Sequence, residues 1–184
     1  MNKNNLFIGS RSDPKIITIK NKNIDKLKYD YIITSNLKRS KMSAKFFRTK
    51  KTINTNLINE IDYGDVDGTT LKMVKKKYPY IIKSWKKGID VRFPKGENTS
   101  DVKKRVQQFF QFLKKFKKKT NILIISHSFF LRVLIGLILK IDLKKVYKIK
   151  IDHLKIFQFL TKNNIFIPNF SRLEKEKIYN QIND

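Results

Sequence analysis

Cysteine is missing from all 184 residues, and histidine occurs only twice, at positions 127 and 153. The first absence excludes a disulfide framework, a thiolate zinc site and a thiol nucleophile. The second leaves too few imidazoles for a His-rich metal centre. Together they fit a reducing compartment, and a cytoplasmic location is expected. Long apolar runs are lacking too: Phe129 to Leu139 is interrupted by Arg132 and falls short of the ~20 residues that span a bilayer. After Met1 only Leu6 to Ile8 are apolar before Gly9, so no signal-peptide core is expected. Acidic side chains are scarce, 15 against 42 Lys and Arg, for a formal charge of +27.

Apolar material is plentiful, with 40% hydrophobic residues including 14 Phe and 7 Tyr. A chain of this length buries roughly 70% of its unfolded surface, so residues 1–184 are expected to form a single domain. The basic residues are mostly Lys, spread over nearly every polar segment beside abundant Ile and Asn. These three residues have A/T-rich codons, and a composition bias decorating solvated faces accounts for the charge. A nucleic-acid-binding surface working through counterion release is the weaker alternative, since charge alone motivates it. The positive field also speeds encounters with anionic small molecules.

Two strands stand out, Tyr29 to Ser35 and Asn121 to Ser126, the second a continuous apolar run suited to a buried parallel strand. The first leads through Asn36-Leu-Lys-Arg39 into a helix-like run ending at Phe47; the second leads through His127 into a helix over Ser128 to Leu139. This pattern predicts an α/β fold, a three-layer sandwich with a mostly parallel sheet and helices on both faces. Between the two units the spacing predicts a helix from Thr70 to Lys77 and an irregular segment from Tyr78 to Asn98. A helix capped by Thr99 or Ser100 then runs to about Lys118. Late strands are expected at Lys155 to Leu160 and Asn164 to Pro168, joined by a Lys-Asn-Asn turn, with a surface helix from Arg172 to Ile182.

In such a sheet the ligand crevice lies beyond the carboxyl ends of the strands. The clusters Ser35-Asn-Leu-Lys-Arg39 and Ser126-His-Ser128 are placed there. An arginine fork and an imidazole at a helix start suit a phosphate. Each also has a plainer reading: Arg39 as a solvated basic residue, His127 as a packed or capping residue, Glu60 as one acid in a polar stretch.

The segment Ile33-Thr-Ser-Asn-Leu-Lys-Arg-Ser-Lys-Met-Ser-Ala44 resembles the "SSxLxRAxxTA" segment of the histidine phosphatase superfamily, the phosphoglycerate mutase-like proteins. Leu57-Ile-Asn-Glu-Ile-Asp-Tyr-Gly-Asp-Val-Asp-Gly68 is similar to that family's "LxExxxGxWEG", with Val66 for Trp and Asp67 for Glu. Phe93-Pro-Lys-Gly-Glu-Asn98 with Asp101-Val-Lys-Lys-Arg105 resembles "PxGES…DxxxR", and Ile122 through Arg132 resembles "VxVVSHxxxxR".

The resemblance implies phosphoryl transfer at a site of two arginines and two histidines, with no metal or other cofactor. One histidine attacks phosphorus and a carboxylic acid protonates the leaving oxygen. Matched motif by motif, Arg39 would bind phosphate, His127 would be the non-attacking histidine, and Glu60 the proton donor. The family's nucleophile belongs to an "RHG" triplet ending the first strand, and these 184 residues hold no such triplet. Leu6 to Ile16 resembles the segment that follows it, so the family's first strand is expected to be missing here. Arg11 is a candidate replacement cation.

The expected function is hydrolysis of small phosphate monoesters, a phosphorylated metabolite as ligand, by a form carrying the nucleophile, with these 184 residues weakly active or inactive. The alternative is a non-catalytic phosphate-binding relative. A mutase needs a closing lid, and the only candidate, Tyr78 to Asn98 with Trp85, is short, which favours a phosphatase.

Overall fold

The computed structural model describes residues 6–16, 28–117, 119–153, 155–162, 165–169 and 171–183. A parallel sheet of order β2-β1-β3 forms its centre, from β1 (Lys28–Ser35), β2 (Arg48–Thr55) and β3 (Ile122–Ile125). Helix α1 (Lys38–Ala44) joins β1 to β2, while α2 (Leu71–Lys77), α3 (Pro79–Lys86) and α4 (Thr99–Leu113) lie between β2 and β3. Helix α5 (Ser128–Ile138) follows β3. An antiparallel pair, β4 (Phe159–Lys162) and β5 (Ile165–Pro168), precedes α6 (Arg172–Asn183).

Successive strand side chains point to opposite faces, and Ile32 and Ile33 of β1 are both 0% exposed. Both faces of the sheet are therefore covered at its central strand, as the expected α/β architecture requires, while Ile122–Ile125 of the outer strand β3 are only half-buried. Ile33 belongs to the main core with Val102, Val106 and Phe109 of α4 and Phe130, Val133 and Leu134 of α5. Burial of each large side chain there stabilises the fold by about 1.5–3 kcal/mol. The outer strand β2 leaves Arg48, Lys50 and Lys51 exposed.

Register brings the functional ends together. Ile33 of β1 lies opposite Ile124 of β3, and Thr34 opposite Ile125. The two strands thus finish at one level, and the chain leaving β3 delivers His127 beside Ser35.

Several sequence expectations need correction. Helix α1 stops at Ala44 instead of Phe47, and β2 was not foreseen because Arg48-Thr-Lys-Lys-Thr-Ile-Asn-Thr55 carries a single apolar residue. The stretch from Tyr78 to Asn98 is not irregular throughout: Pro79 opens α3, a position where its fixed φ and missing N–H are tolerated. Trp85 of that helix stands 5.4 Å from Phe93 and 6.2 Å from Phe7, ring centre to ring centre, so it packs the segment down.

The cap of α4 is Asn98, in a reciprocal capping box with Asp101. Thr99 and Ser100 instead donate their backbone N–H groups to Asp90. Helix α4 ends at Leu113, short of the expected Lys118, which is outside the described residues. The first late strand begins at Phe159 instead of Lys155, and positions 163–164 of the expected turn are outside the described residues. Among the described residues no helix is long and apolar enough to cross a membrane.

Candidate active site

Three loops converge where β1 and β3 end. The first carries Ser35 and leads into Arg39 on the first turn of α1; the second is His127, the residue before α5; the third, after β2, holds Glu60. Glu60 and His127 are 7% and 8% exposed, values that mark them as buried polar groups in need of partners.

His127 is held from both ring nitrogens. Arg39 Nε donates to its Nδ1 at 3.2 Å, and because a guanidinium N–H only donates, Nδ1 is bare. The ring proton therefore resides on Nε2, which donates to Ser35 Oγ at 2.7 Å. Ser35 Oγ also accepts from the Leu37 backbone at 3.2 Å. Burial, reinforced by the Arg39 charge, pushes the His127 pKa down to about 3, which keeps the imidazole neutral.

Arg39 spends its remaining donors on the segment after Leu6. Nη2 donates to the Gly9 carbonyl at 2.9 Å, and Nη1 to the Ser12 carbonyl at 2.8 Å and to Asp13 Oδ1 at 3.4 Å. Phe7 fixes that segment by exchanging backbone hydrogen bonds with Gly68 and Thr69 and packing edge-on against Tyr63.

Glu60 faces the start of α5. His127 provides no side-chain cap to that helix; the Glu60 carboxylate accepts the Phe129 N–H at 3.1 Å and the Phe130 N–H at 3.3 Å instead. The positive end of a helix suits a carboxylate there. Burial nevertheless raises the Glu60 pKa, with the backbone donors and Arg39 pulling the other way.

The motif around Glu97 and Arg105 is a clasp beneath this loop. Arg105 makes a two-pronged bond to Glu97, at 2.8 and 2.9 Å, and donates to the carbonyls of Leu57 and Asn59 at 2.9 and 3.0 Å. Glu97 in turn accepts the Asp62 N–H at 2.8 Å, so Glu60 is braced on both sides. Gly64 sits where this loop crosses the 94–96 turn, at φ 56°, and a Cβ there would run into the Pro94 carbonyl.

Arg39, Glu60 and His127, singled out from the sequence, thus lie together at one end of the sheet, Arg39 on the His127 ring and Glu60 on the first turn of the helix that His127 precedes. Arg11 does not join them: its guanidinium pairs with Asp62 at 2.8 Å and donates to the Lys95 carbonyl. His153 lies exposed in a turn. Sequence reasoning passed over Ser35, Asp13 and Arg105 as working parts. Ser35 and Arg105 stand inside motifs already recognised, whereas nothing local marks Asp13. Among the described residues no group of three or more His, Cys, Asp and Glu side chains could hold a metal ion.

The fold is thus a parallel α/β domain with an arginine, an imidazole and a buried acid at its strand ends. The chain belongs to the histidine phosphatase superfamily (branch 1), whose family model matches residues 20–166. It is 29% identical over 128 residues to phosphoserine phosphatase 1 of Hydrogenobacter thermophilus, covering 67% of this chain and 61% of that protein. It is 32% identical over 100 residues to fructose-2,6-bisphosphatase of Saccharomyces cerevisiae, covering 54% of this chain and 21% of that one. The chain therefore spans 61% and 21% of the lengths of these two curated relatives. Its fold matches the α-ribazole phosphatase of Shigella flexneri with a TM-score of 0.68 at 19% identity, over 78% of this chain and 73% of that one.

Proposed function

We propose that residues 1–184 act as one domain that binds the phosphoryl group of small phosphate monoesters, and that a form also carrying an attacking imidazole hydrolyses them. The observation supporting this is the convergence of Arg39, Glu60 and His127, with Arg39 Nε 3.2 Å from His127 Nδ1. Arg39 exchanges its carbonyl partners for phosphoryl oxygens, His127 holds another oxygen, and Glu60 delivers its proton to the leaving oxygen as the P–O bond breaks. Fixed cations matter most in such a reaction because charge spreads over the equatorial oxygens. Water then attacks the phosphorylated imidazole and returns a proton to Glu60.

The only other imidazole in these 184 residues is His153, exposed in a turn, so little or no turnover is expected from them alone. The relatives' names, a phosphoserine phosphatase and a fructose-2,6-bisphosphatase, support a small phosphorylated metabolite as ligand. The packing of Trp85 onto Phe7 and Phe93 supports a phosphatase over a mutase, since it anchors the one candidate lid. A cytoplasmic location fits the absence of cysteine.

Thermal unfolding with inorganic phosphate is the test. Saturating phosphate is expected to raise the Tm of the wild type and not of Arg39→Ala; equal Tm with and without phosphate in the wild type would refute the reading.

A further inference from the structure

An open groove of about 350 Å³ lies where α1 and β2 meet. Lys41 and Lys45 line it from α1 and the residue that closes that helix, Thr52 and Asn54 line it from β2, and Ala44 and Phe47 give it apolar surface. The proposed chemistry uses none of these side chains. Lys41 stands two positions after Arg39, about 200° around the helix, so the two leave α1 on opposite sides.

β2 is also an end strand, paired with β1 alone in the order β2-β1-β3. Its outer row of backbone N–H and C=O groups meets no strand among the described residues, and such an edge is a template for an added one. Within it, Thr49 Oγ engages the Lys51 N–H and carbonyl at 3.2 and 3.1 Å. Charge selects what is added. From Tyr31 to Asn59 the chain holds seven basic residues and no acid. Lys41, Lys45, Arg48 and Lys51 are exposed, and none has a carboxylate within 4.0 Å among the described residues; Lys50 pairs with Asp30 at 2.9 Å. A bias toward lysine supplies cations everywhere, but here they flank a groove beside an open edge.

We propose that this groove and edge form a docking site for an extended acidic peptide segment of a partner protein, which adds a strand to β2 and lays its carboxylates against Lys41 and Lys45. Every second side chain of a strand faces one way, so acids at alternate positions all reach the same wall. Lys41 and Lys45 share a helix face, and one helical turn, about 6 Å, is close to the roughly 6.6 Å between alternate strand residues. A nucleic acid would answer the charge and leave the backbone edge unused, while a second copy brings the same +27. The docking site stands independently of the phosphate-site reading.

The probe is a blocked eight-residue peptide, as long as β2, alternating threonine and glutamate and carrying a dye for fluorescence anisotropy. At low salt it is expected to bind the wild type about tenfold or more tightly than the same peptide with glutamine for glutamate. N-methylating alternate residues gives two frames of the glutamate peptide. A strand bonds each neighbour through alternate residues, so one frame is expected to lose about tenfold or more in affinity and the other to keep it. Attraction by charge alone would treat the two frames equally.

Lys41→Glu combined with Lys45→Glu is expected to weaken the glutamate peptide about tenfold or more. Lys72→Glu combined with Lys75→Glu makes the same change of charge at exposed positions of α2 and should alter binding by about twofold at most. As a readout that needs no variant, amide hydrogen exchange over 48–55 of the wild type should slow with the glutamate peptide. Absence of binding, equal affinity for the two methylated frames, or equal losses in the two double variants would overturn the assignment. Tighter binding of an oligothymidylate of the same charge than of the glutamate peptide would overturn it in favour of a nucleic-acid surface.

Discussion

Arg39 Nε donates to His127 Nδ1 across 3.2 Å, a cation facing an imidazole nitrogen. The contact holds only while that nitrogen is bare, so arginine and histidine together exclude the imidazolium. Nitrogen-15 NMR is expected to find His127 neutral with its proton on Nε2 at pH 5, well below the ordinary histidine range. In Arg39→Met the His127 pKa should rise from about 3, because the Arg39 charge that adds to the effect of burial is gone; an unchanged value would contradict the contact.

His127 and Glu60 give stability opposite pH dependences. For His127 the folded pKa, about 3, lies below the ordinary 6.5, so the unfolded chain binds the extra proton between them and stability falls as pH drops from 6.5 toward 3. For Glu60 the folded pKa lies above the ordinary 4.5, so its contribution is full below 4.5 and lost as pH rises through the folded value. Each slope is at most about 1.4 kcal/mol per pH unit. Urea unfolding from pH 4 to 8 should show His127→Gln losing less stability than the wild type on acidification, and Glu60→Gln losing less on alkalinisation.

Arg105→Ala removes both prongs to Glu97 and the bonds to Leu57 and Asn59. Both partners are partly exposed, so the loss is expected to be on the order of 2–3 kcal/mol. Arg105→Lys should recover only part of it, since an ammonium cannot reproduce the fork. Denaturant midpoints measure both, and a neutral Arg105→Ala would show that the Glu60 loop is held otherwise.

Asp13 competes with any anion for Arg39. It touches the Arg39 guanidinium at 3.4 Å and accepts from the Lys38 backbone. Asp13→Asn is expected to tighten inorganic phosphate binding by about threefold to tenfold, most clearly at low salt. Calorimetry at two ionic strengths checks this; weaker binding would make Asp13 a support for Arg39.

The central pairing was legible because Tyr29 to Ser35 and Asn121 to Ser126 are largely apolar runs, each leading straight into a helix, although Ile122–Ile125 proves to be an outer strand and only half-buried instead of fully buried. β2 was not, because an outer strand can be built from Thr, Lys and Asn when one face and one edge meet water. Arg39, Glu60 and His127 were readable through motif order alone, since each residue in isolation has an ordinary reading. What escaped were relations across the fold: Ser35 fixing the His127 tautomer from 92 positions away, and Glu60 capping a helix that begins 68 residues later. Local sequence carries no trace of either, because register and loop crossing create them. Pro79 misled for a different reason: it breaks helices from within but opens them well.

The outer strand has a consequence for how molecules of this protein meet one another. With Arg48, Lys50 and Lys51 exposed on β2, two copies approaching rim to rim would set like charges against like. Pairing of two copies through their β2 edges is thereby opposed, and this protection weakens as salt shortens the range of the repulsion.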